Sequence, residues 1–252
     1  MMTTALSTSL LGLSLLGAVS LPGDDDLAGA QRPFYPLTTC IVDGDPLGQG
    51  NASEDSAEEA TAAIEVVIGQ RLYRLCSEEC VLKLKALPDR FAARLDEAVV
   101  QAQLPLYPLT TCPLSDEPLP AAAQLVVLES RLVKLCCKNC VHSLRMDPEP
   151  AFAALDAAAI AAQQADYPLK SCPITGKPLG DEPRDVLYGA QLIRLCCGSC
   201  VRKFEADPTP ALAAVRAALP ERAEPSQPLK HGPILSLKRV SDSDAPTGRG
   251  GR

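Results

Sequence analysis

The sequence predicts an α+β protein made of three small treble-clef-like modules, each a knuckle, a β-hairpin and a helix followed by a second helix, with disordered termini. Three observations lead there. The hexapeptide YPLTTC that starts at Tyr35 recurs at Tyr107 and, as YPLKSC, at Tyr167. Each copy then runs through an apolar stretch into RLYRLC, RLVKLC or QLIRLC, with another cysteine in the fourth place after that one. The composition argues against one large core, because 23 prolines, 4% aromatic residues and no tryptophan are spread over 252 residues. Units below roughly 70–80 residues usually lean on a metal or on disulfides to offset chain entropy. The eleven cysteines are therefore the residues to explain.

In chain order, Leu10 to Ala18 form an apolar run that passes through small residues to Ser20 and then the acidic triplet Asp24, Asp25, Asp26. Residues 1–20 read as a secretory signal, although no lysine or arginine precedes the run. That reading implies an exported chain; without the signal the chain would stay in the cytoplasm. Residues 21–34 read as a linker, followed by repeats over 35–105, 106–165 and 166–219. No later segment approaches the roughly 18 apolar residues of a spanning helix, so no membrane span is expected in the mature chain.

Each repeat opens with its YPL turn and a Pro-Leu pair, at Pro46-Leu47, Pro118-Leu119 and Pro178-Leu179. Repeat one then carries an insertion between Gly48 and Ala63, rich in Glu, Ser, Asp and Ala, which reads as a solvated loop. Aliphatic runs on both sides of Gly69-Gln70, Glu129-Ser130 and Gly189-Ala190 predict hairpins with two-residue turns. A short helix is expected next, from Val81, Leu84 and Leu87, from Val141 and Leu144, and from Val201 and Phe204. The second helix starts at a cap signal, Asp147-Pro148 or Asp207-Pro208. Its expected apolar face is Phe152, Leu155, Ala159 and Ala162, matched in repeat one by Phe91, Leu95, Val99 and Ala102. From Pro220 the chain turns rich in Pro, Ser, Gly and charge, and residues 220–252 read as a disordered tail.

The cysteines align as Cys40, Cys76, Cys80; Cys112, Cys136, Cys140; and Cys172, Cys196, Cys200. One thiol at a hairpin's end and another a helical turn later put two sulfurs on one side of a helix start. The YPL turn brings the third. Helix N-termini also favour the thiolate that metals require. A treble-clef finger would offer a fourth cysteine three residues after the first, but Asp43, Ser115 and Thr175 stand there. A closed structural zinc site takes four protein ligands, whereas three thiolates with an open or oxygen-filled position suit copper(I) or labile zinc. Zinc or copper(I) is the expected cofactor, with the choice left open. Cys137 and Cys197 are additional thiols, read either as a fourth ligand or as a redox pair with Cys140 and Cys200. Ser77 takes that place in repeat one, so the triad is the shared requirement.

One cysteine, a spacer, then C-x3-C entered by LC or LCC and followed by phenylalanine and Asp-Pro, as in CCGSCVRKFEADP from Cys196, resembles the TRASH domain and the related YHS domain. The resemblance covers residues 35–219 and is strongest in repeat three. The spacers are longer here, and repeats one and two have Lys85 and Leu144 near the phenylalanine's place. The resemblance implies a non-catalytic role in trafficking, resistance to or sensing of heavy metals.

Other classes draw less support. A net charge of −7 and a pI near 5.0 disfavour a protein that neutralises phosphates, so nucleic acid is not an expected partner. No Ser-His-Asp set, repeated carboxylate pair or phosphate-binding glycine loop points to an enzyme. His142 follows Cys140 in one copy only and His231 lies in the tail, so neither reads as a ligand. Three alternatives stay open: sulfurs that merely staple the fold as disulfides, which an odd count cannot complete; structural zinc in a module that binds another protein; and a thiol oxidoreductase.

Overall fold

The computed structural model describes residues 23–47, 63–219 and 229–239, and its architecture is mixed α+β. The expected signal over 1–20, the acidic insertion, and residues 220–228 and 240–252 of the expected tail lie outside the described residues.

Most of the expected linker is helical. Helix α1 (Asp24–Gln31) carries three aspartates in its first turn, where they face the positive end of the helix dipole. A 3-10 turn (Arg32–Phe34) delivers the chain to Tyr35.

Three antiparallel hairpins form where the aliphatic runs placed them: β1 (Ile64–Ile68) with β2 (Arg71–Leu75), β3 (Gln124–Leu128) with β4 (Arg131–Leu135), and β5 (Arg184–Tyr188) with β6 (Gln191–Leu195). A two-residue turn whose twist matches the strands needs positive φ at one or both central positions. Gly69 and Gln70 adopt 58° and 65°, and Gly189 adopts 63°. The second hairpin makes the same turn without glycine, at Glu129 (52°) and Ser130 (59°). It is held from outside, because Gln103 donates to the Ser130 carbonyl at 2.8 Å and Arg239 pairs with Glu129.

Each hairpin is followed by a short helix and a longer or equal one: α2 (Glu78–Ala86) and α3 (Pro88–Gln103), α4 (Lys138–Met146) and α5 (Glu149–Gln164), α6 (Gly198–Ala206) and α7 (Thr209–Ala218). Leu84, Leu144 and Phe204 stand at one equivalent, buried position. The residue of repeat one at the phenylalanine's place is therefore Leu84, not the neighbouring and exposed Lys85. Asp147 and Asp207 do accept the orphan amides of Glu149 and Thr209, at 3.3 and 3.0 Å.

The apolar face of the second helices differs at one end from expectation. Phe91, Leu95 and Val99, and Phe152, Leu155 and Ala159, are buried, but Ala102 and Ala162 are exposed. The face steps four residues rather than three, to Gln103 and Gln163, because the next repeat's hairpin approaches on that side. Helix α3 thus serves two repeats. Phe91 and Leu95 join the first core, while Val99 and Val100 pack with Leu125, Val127 and Leu132 of the second hairpin.

Residues 229–239 correct the expectation of a disordered tail. Strand β7 (Ile234–Ser236) pairs in parallel with β3, with Val126 opposite Leu235. Leu235 and Leu237 lie against the second core. Polar anchors fix the segment: Gln101 exchanges hydrogen bonds with the Leu229 backbone at 2.7 and 3.1 Å, and Arg71 donates to Ser236 Oγ at 2.6 Å. Among the described residues no helix is long and apolar enough to cross a membrane.

Candidate metal centre

The first cysteine of each repeat lies in a tight turn closed by two backbone bonds. Cys40 donates its amide to the Asp45 carbonyl at 2.7 Å, and Gly44 donates to the Cys40 carbonyl at 2.9 Å. The same pair recurs around Cys112 (2.8 and 3.0 Å) and Cys172 (2.7 and 2.8 Å). The turn demands positive φ at Gly44 (87°), Asp116 (57°) and Gly176 (69°). The Pro-Leu pair closes the turn in each repeat through an isolated bridge, Thr39 to Pro46, Thr111 to Pro118 and Ser171 to Pro178.

The tyrosine of each YPL segment ties this turn to its hairpin. The amides of Arg74, Lys134 and Arg194 donate to the hydroxyls of Tyr35, Tyr107 and Tyr167 at 3.2, 2.9 and 3.0 Å. Four residues before each tyrosine stands a glutamine whose side chain grips the hairpin turn. Gln31, Gln103 and Gln163 donate to the carbonyls of Gln70, Ser130 and Ala190 at 2.9, 2.8 and 2.8 Å. They accept from the amides of Leu72, Leu132 and Leu192 at 3.0, 2.8 and 2.9 Å. Sequence reasoning missed these glutamines; the spacing Gln-x3-Tyr, present three times, was the available signal. It also missed the buried ion pair of Arg71 with Asp96 and its counterpart, Arg131 with Asp156.

With turn and hairpin fixed in this way, the cysteines converge. The donor atoms of Cys40, Asp43, Cys76 and Cys80 all lie within 4.8 Å of one another, as do those of Cys112, Cys136 and Cys140, and those of Cys172, Cys196 and Cys200. The strand-end and helix sulfurs are 3.8 Å apart in Cys76 and Cys80, 3.7 Å in Cys136 and Cys140, and 3.6 Å in Cys196 and Cys200. Metal–sulfur bonds of about 2.3 Å at the tetrahedral angle require sulfurs about 3.8 Å apart. A disulfide requires about 2.05 Å, and all eleven cysteines are free thiols.

The three oxygen-bearing residues border the same clusters. Asp43 Oδ2 lies 2.9 Å from Cys80 Sγ and 3.4 Å from Cys76 Sγ. Ser115 Oγ lies 3.4 Å from Cys136 Sγ, and Thr175 Oγ1 lies 3.6 Å from Cys196 Sγ. A ligand oxygen about 2.0 Å from the ion would sit about 3.5 Å from each ligand sulfur. The donor sets therefore fit a thiophilic ion, with a carboxylate in repeat one and a neutral hydroxyl in the others.

Cys137 and Cys197 stand beside, not within, these sets. Cys137 Sγ is 3.7 Å from Cys140 Sγ, and Cys197 Sγ is 3.6 Å from Cys200 Sγ. His142 is exposed on α4 and joins no cluster. His231 Nε2 lies 3.0 Å from Glu97.

The electrostatics follow from crowding several thiols together. Burial raises the Cys112 thiol, but the Ser115 hydroxyl and the backbone amides of Cys136, Leu114 and Ser115 outweigh it, and the thiol falls to about 6. Cys172 likewise falls to about 6 against its burial, chiefly through the Cys196 amide and the Thr175 hydroxyl. The helix thiols move the other way. Burial, reinforced by Asp43 at Cys80, by Cys137 and Cys136 at Cys140, and by Cys197 and Cys196 at Cys200, pushes each up to about 12. In repeats two and three the turn thiol therefore ionises readily, while the helix thiol stays protonated, chiefly because it is buried.

No protein-family model matches the chain, and no curated protein or solved structure matches it significantly.

Proposed function

We propose that this chain is a non-catalytic metal-binding protein whose three cysteine triads take up zinc or copper(I) for buffering, trafficking or resistance. In this reading the repeats are treble-clef-like modules related to TRASH and YHS domains, and the N-terminal apolar run exports the protein. One observation carries the proposal: free thiols meet in all three repeats at the edge length of a metal's sulfur shell, with an oxygen donor alongside. A set of disulfide staples would not leave all eleven sulfurs free, and a redox pair would not need a triad in repeat one, where Ser77 replaces the first cysteine of that pair.

The test is metal analysis of protein purified anaerobically, followed by release to a chromogenic chelator with the far-UV signal recorded in parallel. The expected result is three zinc ions per chain, released faster than helix is lost. A specific observation favours a second reading: Cys40 and Cys80 lie inside the first apolar core. Metal released only as helix melts would mean that it holds the fold, leaving recognition of another protein as the function.

A further inference from the structure

Cys197 is outside its repeat's triad, yet its sulfur is not isolated. It lies 3.6 Å from Cys200 Sγ and 3.8 Å from Cys196 Sγ, and those two are 3.6 Å apart. Cys197 does not join Cys172, Cys196 and Cys200 in the set whose donor atoms lie within 4.8 Å of one another. The four sulfurs therefore make two triangles that share the edge between Cys196 and Cys200, one closed by buried Cys172 and the other by the more accessible Cys197. Cys197 is also the N-cap of α6, where Ser199 Oγ lies 3.0 Å from its sulfur and the helix dipole favours negative charge.

We propose that repeat three binds a pair of copper(I) ions, one in each triangle, with the Cys196 and Cys200 thiolates bridging them. This rests on the metal-binding reading above and adds the ion's identity and number. Metal–sulfur bonds of about 2.3 Å across the shared edge leave the two ions about 2.9 Å apart. Two dications at that separation repel four times as strongly as two monocations. Each triangle also offers three sulfurs, a number that suits copper(I), whereas zinc takes four ligands. The thiols release their protons to solvent as copper binds, and copper enters and stays as copper(I). Repeat one lacks the second triangle: Ser77 stands at that place, and its hydroxyl accepts the Cys80 amide at 3.4 Å.

The full chain would be titrated anaerobically with copper(I) against bathocuproine disulfonate and, separately, with zinc. Cys197→Ser should bind one copper(I) fewer than wild type while zinc uptake stays the same, because Cys197 is outside the triad. Ser77→Cys, which places the same thiol in repeat one, should bind one copper(I) more. X-ray absorption of the wild type should show copper–copper scattering that weakens in Cys197→Ser. Equal copper(I) uptake by wild type and Cys197→Ser would overturn the paired site while leaving the triads standing. Failure of the wild type to bind either metal would overturn the paired site and the metal-binding reading together.

Discussion

Thr175 offers a neutral hydroxyl where a four-thiolate finger has a charged sulfur, so it is the residue at which an exchangeable site would differ from a closed one. Thr175→Cys should tighten zinc in repeat three by more than the roughly 10–100-fold that second-shell changes bring, and should slow release to a chromogenic chelator. Unchanged release would mean that this corner is not part of the shell. Ionisation adds a second residue-scale expectation. With Cys112 near 6 and Cys140 near 12, zinc entering repeat two displaces fewer protons above pH 6 than below it. The sign is fixed: affinity falls as pH falls, and it should fall more steeply below pH 6 in a competition titration. Gln103 makes a different point, since its amide satisfies a buried carbonyl and a buried amide at once. Gln103→Ala orphans both and should cost about 2–4 kcal/mol, measured as a lower denaturation midpoint of the zinc-loaded chain with zinc stoichiometry unchanged.

At the scale of elements, hairpins and helices were legible because their signals are local. A two-residue turn between aliphatic runs and an aspartate before a proline act over a few positions, and both gave the right element. Clustering of the triads was legible as well, since repetition in three copies fixed which cysteines belong together. Helix α1 and strand β7 were not legible, because each exists through partners far along the chain: Gln31 against the first hairpin and Leu235 beside Val126. Composition hid both: three aspartates open α1, and the few aliphatic residues Ile234, Leu235 and Leu237 lie within a tail otherwise rich in Pro, Ser, Gly and charge. Attachment of β7 should depend on pH through His231 and Glu97. The Gly232 carbonyl and Glu97 raise the His231 pKa, while His231, with Gln101, lowers that of Glu97. The imidazole's contribution is therefore complete below its ordinary value of about 6.5 and is lost as pH rises through the raised folded value. The carboxylate's contribution is lost only as pH falls through its lowered value. Amide exchange at Leu235, corrected for intrinsic rate, should be slowest between these limits and quicken as pH rises through the raised His231 value. His231→Gln should abolish that dependence.

Over the whole molecule the repeats interlock instead of standing as separate beads. The helix that closes one repeat carries the glutamine that grips the next hairpin, so α3 links the first and second units and α5 the second and third. Small stacked units gain stability this way, since a single unit cannot bury its apolar face alone. The arrangement also sets where the chain can be cut. A fragment spanning residues 166–219 keeps all the thiols of repeat three but loses α5, and with it the bonds from Gln163 to Ala190 and Leu192. A fragment spanning 149–219 keeps them. Zinc should drive cooperative folding of the longer fragment, and the shorter one should need on the order of tenfold more zinc, because two hydrogen bonds to backbone are missing. Far-UV titration with zinc checks this directly. Coincident curves would show that each repeat folds around its own ion, and that the shared helices join sites which would form without them.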